Sequence, residues 1–115
     1  MAGLTVDARR DGAFGLVKLK GEARLEVIEP LRAHAKGMLA DGVVRVLVDA
    51  AGLAFADSAS IGILLELQRE SEKAGGDLVL HSASKRVTRM LEGMGLTGRL
   101  KLFETEAAAR ASFGA

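Results

Sequence analysis

The hydrophobic periodicity of this chain changes repeatedly between two residues and three to four residues, and this alternation limits the folds available to it. Residues 4–8 alternate apolar with polar side chains, as a half-buried strand does. Asp11-Gly12 follows, and this dipeptide favours a tight turn into a second strand at residues 14–20. The sequence therefore begins with two strands that we expect to pair antiparallel.

Helices and strands alternate through the rest of the chain. Residues 43–48 are almost continuously apolar and rich in β-branched side chains, which is typical of a parallel strand buried on both faces. Amphipathic spacing, capping residues and glycines define the other elements. These are a helix that begins near 27–29 and ends at 41–42, a loop at 49–56, a helix from about Ser60 to Lys73, a strand at 77–81, a helix capped by Ser84, a strand at 100–103 and a helix at 106–113.

The order of these elements is ββαβαβαβα, which predicts an α/β fold. Strands that alternate with helices are joined by crossover connections and pair parallel. We therefore expect a mixed, mostly parallel sheet of four to five strands, flanked by about four helices. The connecting segments are short, and no repeat or low-complexity stretch interrupts the pattern, so we expect a single domain over residues 4–113.

Composition argues against several classes of function. The 115 residues include no cysteine, which excludes disulfides, thiolate zinc sites and cysteine nucleophiles. A formal net charge of +1 and an aromatic content of 3% supply neither a basic surface nor stacking platforms, so we expect no nucleic-acid partner. The N-terminal residues lack the apolar core of a signal peptide, and no apolar run approaches the ~20 residues of a spanning helix. We expect a cytoplasmic protein that does not insert into a membrane.

The sequence lacks motifs for catalysis or for cofactor binding. It contains no phosphate-binding loop and no dinucleotide-binding glycine pattern, and neither His34 nor His81 has a partner at metal-ligand spacing. One enzymatic alternative is a hydrolase built on Ser58, His81 and Asp57. Ser58 does not lie in the G-x-S-x-G turn that exposes such a serine. We therefore expect no catalytic residue, no cofactor and no metal.

The most unusual segment is Asp57-Ser58-Ala59-Ser60-Ile61-Gly62, which lies between the buried strand and the second helix. One interpretation is structural, since Asp57 or Ser58 can cap the free amides of the first helical turn. The other is regulatory. A phosphate on a serine at a helix N-terminus meets free N–H groups and adds roughly −1.5 to −2 charges. The residues alone leave both interpretations open.

The chain resembles the STAS domain, which sulfate transporters and anti-sigma factor antagonists share. The resemblance covers about residues 4–113 and depends most on 46–49, 53–56, 57–62, 78–80 and 87–96. It implies a non-enzymatic interaction module that binds an anti-sigma factor, itself a serine kinase with an ATP-binding domain, and so regulates transcription by partner switching. The alternative that it implies is a cytoplasmic STAS subunit of a lipid or anion transport complex. It also allows a weak homodimer.

The resemblance can be carried over position by position. The family pattern D-S-[S/T/A]-G-[L/I]-G places its acidic residue at Asp57 and its first serine at Ser58. The hydrophobic–glycine pair falls at Ile61 and Gly62. The usual phosphoacceptor follows the first serine, and here that position is Ala59, which has no hydroxyl. The family's standard phosphorylation switch is therefore missing from its standard place.

Two serines remain as candidate phosphoacceptors. Ser60 stands where the family usually has glycine, and Ser58 precedes Ala59. The resemblance equally allows a domain that is never phosphorylated. In either case it implies that residues 57–62 form the partner-binding surface, together with nearby positions from 21–25 and 81–84.

Overall fold

A computed structural model of the chain describes residues 3–96 and 98–114. Its elements follow the predicted order ββαβαβαβα, with one 3-10 turn before the first α-helix. They are β1 (Leu4–Asp11), β2 (Phe14–Ala23), the 3-10 turn (Leu25–Val27), α1 (Glu29–Ala40), β3 (Arg45–Ala56), α2 (Ser58–Lys73), β4 (Asp77–His81), α3 (Lys85–Gly93), β5 (Leu102–Phe103) and α4 (Glu106–Ala111).

The strands form one five-stranded sheet in the order β1-β2-β3-β4-β5, so that neighbours in sequence are also neighbours in space. β1 and β2 make the predicted antiparallel hairpin, which turns at Gly12 with a φ of 61°. Every later pair is parallel, as expected for strands connected through helices. The prediction of a mixed, mostly parallel sheet is confirmed.

The two faces of the sheet are covered unequally. Successive side chains of a strand point to opposite faces, so Val46 and Val48 pack with α1, α2 and α3 in the main core. Leu47 points to the other face, where it packs with Val79 and with Ala109 of α4. Three helices therefore cover one face, whereas the six-residue α4 covers part of the other.

Helix ends follow the capping signals of the sequence. The hydroxyl of Ser84 accepts a hydrogen bond from the Val87 amide at 3.2 Å, and that of Thr105 accepts one from the Ala108 amide at 3.1 Å. α2 begins at Ser58, earlier than the predicted start at Ser60. In the part of the chain that the structure describes, no helix is long and apolar enough to cross a bilayer.

Residues 49–56, predicted as a loop, instead form the second half of β3. The sequence there is rich in alanine and has weak strand propensity. The strand continues because β2 pairs with it, with Gly21 opposite Leu53. Pairing with a neighbouring strand thus overrides local propensity. β4 pairs with β3 over residues 45–49, so β2 is the strand neighbour of the second half of β3.

The last two elements are shorter than predicted. β5 comprises Leu102–Phe103 rather than 100–103, since the Leu100 amide closes a turn onto the Leu96 carbonyl at 2.9 Å. Leu100 is buried and packs in the main core. α4 ends at Ala111 rather than at 113.

A polar cluster ties α2 and the segment before β5 to the start of β4. Asp77 is buried, and its Oδ1 accepts hydrogen bonds from Gln68 Nε2 at 3.0 Å and from the Leu78 amide at 2.8 Å. Its Oδ2 lies 2.9 Å from Lys101 Nζ. The hydrogen bond to Asp77 raises the pKa of the Lys101 ammonium.

Candidate functional site

Asp57 lies between β3 and α2, and its side chain connects the start of α2 with the segment that follows β2. Its Oδ1 accepts a hydrogen bond from the Ser60 amide at 2.8 Å and so caps α2. Its Oδ2 accepts another from the Leu25 amide at 3.0 Å. Its own amide donates to the Ala23 carbonyl at 2.9 Å. The structural interpretation of Asp57 as an N-cap is confirmed, and the same carboxylate also positions the segment after β2.

The surroundings of Asp57 favour its ionised form. Burial acts to raise the pKa of its carboxyl, but hydrogen bonds from Ser60 and Leu25 and the charge of Arg24 outweigh burial and lower it. The guanidinium of Arg24 lies 4.5 Å from the centroid of the Phe55 ring, and it pairs with Glu22 at 2.9 Å. A charged, ordered rim therefore lies next to Asp57.

The residues that follow Asp57 differ in exposure. Ser58 and Gly62 are exposed and Ala59 is partly exposed, whereas Ser60 and Ile61 are buried. Ser60 is 0% exposed, and its Oγ has no hydrogen-bond partner among the residues that the structure describes. The five residues that follow Asp57 therefore divide into three surface residues and two core residues.

Leu25 presents an apolar side chain beside this segment. It is 60% exposed, although its backbone is fixed by the bond to Asp57. Phe55 is partly exposed and contacts Arg24. Sequence reasoning did not single out Phe55, although it is one of only four aromatic residues and lies just before Asp57. We call the set Arg24, Leu25, Phe55, Asp57, Ser58, Ala59 and Gly62 the Asp57 corner.

His81 occupies a different part of the sheet. It lies opposite Asp49 in the strand register, well before Asp57 along β3. It is 3% exposed, and its Nδ1 lies 2.9 Å from Ser82 Oγ. Within residues 3–96 and 98–114 its ring has no hydrogen bond to Ser58, and such a bond is what a serine hydrolase needs. The hydrolase alternative gains no geometric support, and a role of 81–84 in binding stays a prediction.

A polar row crosses the sheet on the face that carries α4. The register aligns Asp7, Lys18, Asp49 and His81 across β1 to β4. With Arg9 these residues line a groove of about 400 Å³. Among the described residues no three His, Cys, Asp or Glu side chains are grouped so that they could hold a metal ion. The groove therefore offers alternating charges rather than a ligand set.

Two sequence comparisons bear on the family. A family model described as "Mlab, STAS domain" matches residues 6–104. The anti-sigma F factor antagonist of Lysinibacillus sphaericus is 28% identical to this chain over 82 residues, which make up 70% of this chain and 70% of that protein.

Solved structures share the fold. The anti-sigma factor antagonist SpoIIAA in its unphosphorylated form aligns with a TM-score of 0.77 and 22% identity, over 96% of this chain and 95% of that chain. The murine anion transporter Solute Carrier 26 family member A9, in its inward-facing state, aligns with a TM-score of 0.72 and 15% identity. This alignment covers 97% of this chain and 22% of the transporter. At these identities the similarity concerns the fold, which by itself does not define function.

Proposed function

This chain belongs to the STAS domain family, and from that premise we propose that it is a non-enzymatic interaction module of the anti-sigma factor antagonist type. Its partner is an anti-sigma factor that is also a serine kinase with an ATP-binding domain, and the two meet in the cytoplasm. Capture of this partner frees a sigma factor and so changes transcription. The proposed domain spans 4–113, and two observations support these bounds: β1 begins at Leu4, and the Phe113 ring packs edge-on against Phe14 at 5.6 Å.

The observation that carries the proposal is the fixed, exposed surface of the Asp57 corner. The Asp57 carboxylate holds two backbone segments in place, so a partner meets a surface that needs little ordering. Leu25 supplies an exposed apolar contact, and Arg24 lies beside it as part of a polar rim. Ser58 has a short side chain and Gly62 has none, so a partner backbone can approach both positions closely.

Control by phosphate, where it operates, is proposed to act at Ser58 rather than at Ser60. Ser58 is exposed at the first position of α2, whereas Ser60 is fully buried and a kinase could reach it only after the first turn opened. A phosphate on Ser58 would be near the amides of the helix N-terminus and beside the Asp57 carboxylate. It would add roughly −1.5 to −2 charges to a surface that now offers Leu25 for contact.

The test compares capture of host proteins by the wild-type chain, Ala59→Glu and Ala107→Glu. A carboxylate near the start of α2 interacts favourably with the helix dipole, so Ala59→Glu should fold normally by circular dichroism. The added charge on the docking surface should lower partner capture at least about tenfold. Ala107 is exposed on α4 across the sheet, so the same change there should leave capture unaltered. Undiminished capture by Ala59→Glu would place the docking surface elsewhere.

Mass spectrometry of the captured protein decides what kind of partner this chain has. Recovery of an ATP-binding serine kinase supports the anti-sigma role. Purified kinase and ATP should then place phosphate on Ser58, and Ser58→Ala should abolish the labelling. Phosphate on another serine, or on no serine, contradicts control at Ser58. It does not bear on the docking surface, which the capture of partners by Ala59→Glu tests separately.

A subunit of a lipid or anion transport complex is the second candidate function. The observation that favours it is the anion transporter that contains a portion with the same fold as nearly all of this chain. This function predicts that the captured partner is a transporter ATPase or a membrane transport protein. The same Ala59→Glu variant then tests whether that partner also uses the Asp57 corner.

A further inference from the structure

The outer edge of β1 is open to another strand. β1 lies at one end of the sheet order, and it pairs with β2 without a register shift. Within the described residues, its peptide groups that face away from β2 have no strand partner. Leu4, Val6 and Ala8 pack only partly against the main core and remain partly exposed at this edge. An edge of this kind is a template for pairing with another chain.

The charges on β1 are arranged in a self-complementary order. Asp7 and Arg9 lie two residues apart and therefore on the same face of the strand. Both are exposed, and neither forms a salt bridge within residues 3–96 and 98–114. When a second copy pairs antiparallel so that the two Ala8 residues face each other, Asp7 of each copy lies opposite Arg9 of the other.

Neighbouring registers lose this complementarity. A register centred on residue 7 sets Asp7 opposite Asp7, and one centred on residue 9 sets Arg9 opposite Arg9. Like charges directly opposite each other are destabilising. A register centred on Val6 brings no opposite charges together. The register centred on Ala8 also continues the polar row, because the alternation of charge along Asp49, Lys18 and Asp7 is extended by Arg9 of the second copy.

We propose that two copies of this chain associate through their β1 edges, antiparallel and with Ala8 at the two-fold axis, so that both sheets become one. The paired segment runs from Thr5 to Asp11, which is seven residues or about 24 Å at ~3.4 Å per residue. That is a small contact compared with standard interfaces, so the dissociation constant is micromolar or weaker. The association goes beyond the proposed function, and its test needs only the purified chain.

A cysteine scan tests the register, since the chain has no cysteine of its own. Ala8→Cys sets two thiols directly opposite each other, at a separation that a disulfide can span. Mild oxidation should therefore convert this variant to a covalent dimer on a non-reducing gel. Val6→Cys is the matched control, because it lies on the same face of β1 but opposite Arg10 of the second copy. Cross-linking of Val6→Cys as fast as Ala8→Cys overturns the proposed register.

Sedimentation equilibrium tests the charge pairing. Arg9→Asp sets like charges opposite at both pairs and should raise the dissociation constant at least about tenfold. Arg9 lies opposite Leu16 of β2, so the hairpin keeps its own charge pairs. Arg9→Lys keeps the opposite charges at both pairs and should leave the constant within about threefold of wild type, and Arg69→Glu on α2 should leave it unchanged. A wild-type chain that stays monomeric at millimolar concentration, or an Arg9→Asp variant with an unchanged constant, overturns the proposal.

Discussion

Asp57 and Leu25 are 32 residues apart in the chain, and a hydrogen bond of 3.0 Å from the Leu25 amide to Asp57 Oδ2 joins them. The other oxygen of the same carboxylate caps α2 through the Ser60 amide. The position of the exposed Leu25 side chain therefore depends on the residue that caps α2. A single carboxylate organises both sides of the candidate docking surface.

Replacing this carboxylate should destabilise the domain. We expect Asp57→Ala to lower the free energy of unfolding by about 1–3 kcal/mol, because it removes the cap of α2 and the acceptor of the Leu25 amide. Asparagine is a good N-cap residue, so Asp57→Asn should lose less than half as much. Urea denaturation measures both. A loss for Asp57→Ala no larger than that of Ala107→Glu would show that the carboxylate does not hold the corner.

The same carboxylate should contribute to the pH dependence of stability. Its hydrogen bonds lower the pKa of Asp57 in the folded state, so its contribution is present above the unfolded pKa of about 3.9 and is lost as the pH falls through the folded value. The difference in unfolding free energy between wild type and Asp57→Asn should be constant from about pH 7 to 5 and shrink below about pH 4. A difference that is equal at pH 5 and pH 3 would argue against a lowered pKa.

Ser60 carries a buried hydroxyl with no partner among the described residues. We expect Ser60→Ala to raise the free energy of unfolding by about 1 kcal/mol, since it removes an unsatisfied polar group and favours the helix. Ser60→Gly removes the same hydroxyl, but its free energy of unfolding should stay close to that of wild type because glycine disfavours the helix by about 1 kcal/mol. Thermal and urea denaturation of both variants measure this. A loss of stability in Ser60→Ala would mean that the hydroxyl is hydrogen-bonded in solution.

The polar cluster at Asp77 should lose more stability when Asp77 is replaced than when Lys101 is replaced. Asp77→Ala removes the acceptor that lies 3.0 Å from the buried Gln68 Nε2, which then has the longer bond of 3.4 Å to Glu72 Oε2, and we expect a loss of about 2–3 kcal/mol. Lys101 is 60% exposed, so Lys101→Ala should cost less than about 1 kcal/mol. Urea denaturation of the two variants in parallel measures the contrast. Equal losses would mean that the salt bridge, rather than the buried hydrogen bond, holds the cluster together.

The sequence predicts the elements whose pattern is local. The buried first half of β3 and the hairpin follow from periodicity and from turn residues. The second half of β3 could not be predicted in this way, because its alanine-rich sequence forms a strand only by pairing with β2. The hydrogen bond between Leu25 and Asp57 could also not be predicted from local patterns, since it joins segments that are distant in the sequence.

The sequence could have predicted that Ser58 and Ser60 have different environments. The buried residues of α2 include Ser60, Leu64, Leu67 and Ser71, which recur every three to four positions on one helical face. If the helix is predicted to begin at Ser60, that residue lies at the helix boundary, and the periodicity does not indicate which face of the helix it occupies. Starting the helix at Ser58 places Ser60 on the buried face and Ser58 at the surface.

β3 runs without interruption from the centre of the sheet to the Asp57 corner. Backbone amides at 46–48 lie in the centre of the sheet and should exchange with deuterium only when the whole domain opens. A protein bound where the strand ends, at Ala56 and Asp57, stabilises the closed form against that opening. Binding of a partner at the Asp57 corner should therefore lengthen the deuterium-exchange lifetime of amides in the middle of the sheet, which the partner does not contact.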